Sequence, residues 1–116
     1  MPNTIDTTDV LDALTQVLSE RKQQDPDTSY VASLHHAGLD KILEKVGEEA
    51  TEVILAAKNA AADPDQGKSA CVGEVADLWF HSMVLLSHLG YSAEDVLQTL
   101  ADRFGVGGHE EKASRS

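Results

Sequence analysis

Between Lys68 and Leu89 the chain reads as one long helix that is apolar around most of its circumference, through Val75, Ala76, Leu78, Trp79, Phe80, Met83, Val84, Leu85, Leu86 and Leu89. A helix of this kind must be covered on several sides, so it is expected at the centre of whatever the chain folds into. The exceptions to its apolarity are ordered: at about 100° per residue, Glu74, Asp77, His81 and His88 fall within roughly 60° of one another. A single polar stripe on such a helix either faces water or lines a site.

The remaining segments also carry helical periodicity. From about Asp9 to Gln23, Val10, Leu11, Leu14, Val17 and Leu18 form one amphipathic stripe, which Asp25-Pro26-Asp27 ends. Ser29 opens a short segment, Tyr30 to Ala37, and Gly38 separates it from a longer helix over about Leu39 to Asn59, with Ile42, Val46, Ala50, Val53 and Ala57 as its core face. Ala60 to Gly67, containing Asp63-Pro64-Asp65, reads as a loop. Gly90 stops the apolar helix, and Ser92 with Asp95 forms a capping box for a last helix through Val96, Leu97, Leu100 and Phe104. The expectation is an all-α bundle of four main helices in one domain over residues 1–116, with residues 1–8 and 105–116 as irregular termini.

Charge narrows the partners. The 116 residues hold 9 Lys+Arg against 20 Asp+Glu, a net charge of −11, and no basic run exceeds Arg21-Lys22. A nucleic-acid backbone would be repelled, so no nucleic-acid partner is expected and a phosphate ligand needs a metal to mediate. The single cysteine, Cys71, fits a reducing compartment, which makes the expected location cytoplasmic. The longest apolar run, about Val53 to Ala57, is too short for a signal core or a membrane span, so no membrane association is expected.

The acidic residues on the helix before the apolar one are as ordered as those on it. Glu49 and Glu52 stand at i, i+3 and Glu48 and Glu52 at i, i+4, so three carboxylates share an arc of roughly 100°. Either helix alone tolerates such a patch on its surface, since like-charge pairs cost only about 0.2–0.5 kcal/mol. Paired across a helical hairpin, however, E-x-x-E and E-x-x-D converge. Carboxylates meeting in a partly dry groove raise one another's pKa unless a cation intervenes. Leu78 and Leu85 stand where a di-iron bundle would place the Glu of Glu-x-x-His pairs with His81 and His88, so an oxygen-only site for Mg2+ or Mn2+ is expected. The chemistry of such a site is metal-assisted hydrolysis of a phosphoanhydride, with Glu48 as general base.

Ser29-Tyr30-Val31-Ala32-Ser33-Leu34, Gly38, Lys41 to Val53 (KILEKVGEEATEV) and Glu74 to His81 (EVADLWFH) together resemble the phosphoribosyl-ATP pyrophosphohydrolase family of histidine biosynthesis. The likeness runs from Arg21 to the tail Glu111-Lys112-Ala113-Ser114-Arg115. It implies a MazG-like all-α fold, Mg2+ dependence, a homodimer, and conversion of 1-(5-phosphoribosyl)-ATP and water into 1-(5-phosphoribosyl)-AMP and pyrophosphate. Position by position, Glu49, Glu52, Glu74 and Asp77 match the metal-binding acids and Glu48 the extra acid of the E-E-x-x-E form. Arg21, Ser29, Tyr30, Lys41, Lys45, Lys112 and Arg115 match positions expected to contact the substrate. The stretch Ala60 to Ser69 reads as longer than the family's usual connection. No second, cyclohydrolase activity is expected, because the chain is short and one cysteine does not make that partner's metal site. Two other readings are a house-cleaning MazG-like pyrophosphohydrolase of ordinary or damaged nucleoside triphosphates, and a non-catalytic helical dimerisation module whose acidic face only solubilises.

Overall fold

The computed structural model describes residues 6–105, and Lys112 and Arg115 lie outside the described residues. All regular structure among the described residues is helical. A 3-10 turn, Thr7–Asp9, leads into α1 (Val10–Arg21), followed by α2 (Tyr30–Ala37), α3 (Leu39–Ala62), α4 (Pro64–Leu89) and α5 (Ala93–Phe104). The all-α expectation holds, with the short segment after Ser29 forming a helix of its own beside the four longer ones.

Local chemistry explains most of the boundaries. The Ser29 hydroxyl accepts the Ala32 amide at 3.1 Å and starts α2. Gly38, at φ 106°, separates α2 from α3, and Gly90 closes α4 in the left-handed conformation that a side chain would strain. Ser92 and Asp95 form the expected capping box, with Ser92 N donating to Asp95 Oδ2 at 3.0 Å.

The expected loop from Ala60 to Gly67 does not exist. α3 runs on through its alanines to Ala62, and α4 starts at Pro64, leaving Asp63 as a one-residue link. Asp63 is extended (φ −145°, ψ 84°), as the residue before proline prefers, and its carboxylate accepts the Gln66 amide at 3.3 Å. Proline here acts as the first residue of a helix, where its fixed φ helps and its missing N–H costs nothing, rather than as a breaker. The connection is therefore short, contrary to the expectation of a long one.

α3 and α4 form an antiparallel hairpin with the most extensive helix–helix contact in the fold. Close to the link they touch backbone to backbone: a Cβ added at buried Gly67 would lie 2.4 Å from Ala60 Cα. The main core sits at the other end, where Leu18, Val31, Leu34, Ile42, Met83, Val84 and Ala93 pack together. On α3, Ala56 is buried whereas Ala57, assigned above to the core face, is exposed.

α4 lies at the centre of the contacts yet is not covered on all sides. Val72 and Trp79 are 59% and 60% exposed, and Val96, Leu97 and Leu100 of α5 leave an apolar groove of about 310 Å³ beside Trp79. By length and composition α4 is also sufficient to cross a membrane, which the count of uninterrupted apolar residues did not register. In this fold it packs along α3 and carries Glu74, Asp77, His81 and His88.

Candidate active site

Away from the link, facing acidic residues of the hairpin line an open groove of about 540 Å³. α3 contributes Lys45, Glu48, Glu49, Thr51 and Glu52, and α4 contributes Glu74 and Asp77. Helical spacing places each acidic pair on one face, and the antiparallel hairpin sets the two faces opposite each other. Glu49, Glu74 and Asp77 each bring a carboxylate oxygen within 4.8 Å of the other two. Glu52 lines the same groove without joining that tight cluster.

The electrostatics follow from this crowding. The Glu74 carboxyl is raised above its ordinary value, first by loss of water and then by the charges of Glu52, Asp77 and Glu49. Glu48 sits at the exposed rim and is shifted the other way: Lys45 Nζ donates to its Oε1 at 3.1 Å, and this hydrogen bond and charge hold it below the ordinary range. Lys45 also lies 4.0 Å from Glu49, and its own pKa is raised, chiefly by the bond to Glu48. The groove thus has a cation-seeking wall and one ammonium at its edge. Three oxygens in such proximity, with a fourth carboxylate beside them and no thiolate or imidazole in the cluster, are the donor set that a hard divalent ion takes.

Two histidines of the α4 stripe face other helices instead of water. His81 is 6% exposed; its Nδ1 lies 2.8 Å from the Asp77 carbonyl and its Nε2 lies 2.8 Å from the Tyr30 hydroxyl. Tyr30 stands at the head of α2, half exposed, with its ring stacked on Phe80 at 6.5 Å between centroids. Burial raises its hydroxyl pKa, Lys45 lowers it, and Glu49, Glu48 and Asp77 raise it again, so the phenol stands within the field of the groove. Further along, His88 and His35 bring their Nδ1 atoms to 3.0 Å.

The other basic and polar candidates are dispersed. Lys41 is exposed and pairs with Glu44 at 3.6 Å. Ser29 is buried, its hydroxyl accepting the Ala32 amide as the cap of α2. Arg21 is the exposed last residue of α1. Thr51 lines the groove but was not singled out from sequence; its place three residues after Glu48 and two after Glu49 was the available signal.

The chain resembles known proteins over most of its length. The family model of phosphoribosyl-ATP pyrophosphohydrolase matches residues 11–104. A protein of Hydrogenovibrio crunogenus (strain DSM 25203 / XCL-2), named phosphoribosyl-ATP pyrophosphatase, is 56% identical over 108 residues, covering 93% of this chain and 94% of that protein.

Proposed function

The chain belongs to the phosphoribosyl-ATP pyrophosphohydrolase family and is a hydrolase; from that premise we propose that it converts 1-(5-phosphoribosyl)-ATP and water into 1-(5-phosphoribosyl)-AMP and pyrophosphate, the second step of histidine biosynthesis, in a Mg2+-dependent reaction. The observation that carries the proposal is the meeting of Glu49, Glu74 and Asp77 in one groove with Glu52 beside them. Those four carboxylates would hold Mg2+, or Mn2+ in its place, and the Glu74 carboxyl, raised by loss of water and by the charges of Glu52, Asp77 and Glu49, is one that a bound cation would bring back down. When bound, the ion supplies positive charge and polarises phosphoryl oxygens.

The chain's own side chains divide the remaining work. Lys45 is the groove's cation for phosphate, and Lys41 stands one turn before it on α3. Glu48, kept ionised by Lys45, accepts the proton of the attacking water as the α–β anhydride bond breaks and pyrophosphate leaves. Tyr30, Ser29 and Arg21 belong to the proposed substrate-binding set, as do Lys112 and Arg115 outside the described residues. The exposed apolar side chains Ile54, Leu55, Val72, Trp79 and Phe104 favour assembly as a homodimer. A cytoplasmic location is part of the same reading.

The test is pyrophosphate release from phosphoribosyl-ATP with Mg2+, then with chelator, then against dNTPs. Release only with the metal and strongly in favour of phosphoribosyl-ATP supports the proposal. Equal turnover of dNTPs would replace it with a house-cleaning pyrophosphohydrolase, and no turnover of either with a non-catalytic dimerisation module. Sedimentation equilibrium decides the dimer.

A further inference from the structure

Tyr30 and His81 are joined across 51 residues of sequence, and for a neutral imidazole hydrogen counting gives the direction of their bond. A backbone carbonyl only accepts, so the 2.8 Å contact to Asp77 O requires the hydrogen of His81 on Nδ1. In the neutral ring Nε2 is then a bare acceptor. The 2.8 Å contact to Tyr30 therefore uses the one hydrogen that the phenol has. Tyr30 stands beside the groove, joined through His81 to the Asp77 backbone, and its oxygen has only lone pairs left to offer a ligand there.

We propose that Tyr30 serves the groove purely as a hydrogen-bond acceptor, oriented by His81 as a positioning residue, and so recognises a hydrogen-bearing group of the nucleotide, a sugar hydroxyl, and not a phosphate oxygen. An ionised phosphate oxygen presents no hydrogen and would face the phenol lone pair to lone pair. A sugar hydroxyl donates to it without disturbing His81. Lys45, which makes its close contacts with Glu48 and Glu49, remains the phosphate's partner at this edge. The division separates the polyphosphate from the nucleoside at neighbouring side chains. The hydrogen bond to His81 at 2.8 Å keeps the phenol's proton on that side, and turning it outward would forfeit this bond.

The inference rests on the proposed nucleotide pyrophosphohydrolase activity, and its tests are separable from it. Nitrogen-15 NMR of the wild-type protein reads the His81 tautomer without any turnover: a protonated Nδ1 with bare Nε2 is expected, and a hydrogen on Nε2 overturns the proposal. In enzyme that has first been shown to turn over phosphoribosyl-ATP, Tyr30→Phe should raise KM about 3- to 10-fold, the loss of one neutral hydrogen bond, with kcat nearly unchanged. Inhibition by inorganic tripolyphosphate should stay the same in that variant, while inhibition by AMP weakens. Weakened tripolyphosphate inhibition would instead make Tyr30 a phosphate contact and overturn the proposal. His81→Gln, whose amide oxygen can accept from Tyr30, should retain more affinity than His81→Leu; equal loss in both would refute the positioning role. Failure of wild-type turnover refutes the function proposed above and leaves the tautomer measurement standing.

Discussion

Gly67→Ala is expected to destabilise the protein although it exchanges glycine for the best helix former. The new methyl would lie 2.4 Å from Ala60 Cα and 2.9 Å from both its N and its Cβ, whereas carbon atoms rest about 3.5–4.0 Å apart. Backbone atoms have no rotamer to change, so α3 and α4 must separate by about 1 Å next to a link of one residue. Overpacking costs about 1–3 kcal/mol, and a clash with backbone belongs at the upper end. Helix propensity returns at most about 1 kcal/mol, which leaves a net loss of about 2 kcal/mol. For a domain of this size that is a fall in Tm of roughly 8 °C. Gly73→Ala, in the same helix, is the control: nothing lies within 4 Å of its added Cβ, so the same substitution should raise Tm by up to roughly 4 °C. The assay is thermal unfolding by circular dichroism at one fixed protein concentration. A Gly67→Ala protein as stable as wild type would refute the close approach of the two helices.

Glu74→Gln should raise Tm in chelator, because it removes a carboxylate that its neighbours repel, and should abolish any stabilisation by Mg2+. Turnover by this variant and by Glu52→Gln should fall by more than the roughly 10–100-fold that loss of a metal ligand's supporting partner costs, with the helical spectrum retained. His35 is lowered below the ordinary histidine range by burial and by the positive charges of Lys22 and His88, so it prefers to be neutral when folded. Its contribution to stability is therefore complete above about pH 6.5 and declines as pH falls below it. Melting at pH 7.5 and 5.5 should show less pH sensitivity in His35→Gln than in wild type, and equal sensitivity would refute the assignment. Ile42→Ala, at a side chain with 0% exposure in the core, should cost about 2–5 kcal/mol in urea unfolding.

What could be read from sequence was what is local along a helix. The capping box at Ser92, the cap at Ser29 and the stops at Gly38 and Gly90 each depend on neighbours within four residues, and each is found where expected. The same holds for the acidic pairs, whose i, i+3 spacing puts both members on one face. The link at Asp63 was misread because proline breaks a helix from inside but begins one at its first position, and the surrounding sequence permits both. The separation of Glu52 from the Glu49, Glu74 and Asp77 cluster depends on how α3 rolls against α4, which periodicity does not specify. Tyr30 with His81, and His35 with His88, join positions 51 and 53 residues apart, and no spacing rule connects them.

The link between α3 and α4 also sets a register. Glu49 and Asp77 stand the same number of residues before and after Asp63, so the turn acts as the zero mark of a ruler on which the facing carboxylates are graduations. One residue inserted there would move α4 by about 1.5 Å along its axis and turn it by about 100°, carrying Glu74 and Asp77 away from Glu49 with every side chain of the groove unaltered. The turn should accept changes of residue identity far more readily than a change of length, and its length belongs to the site as much as the acids do.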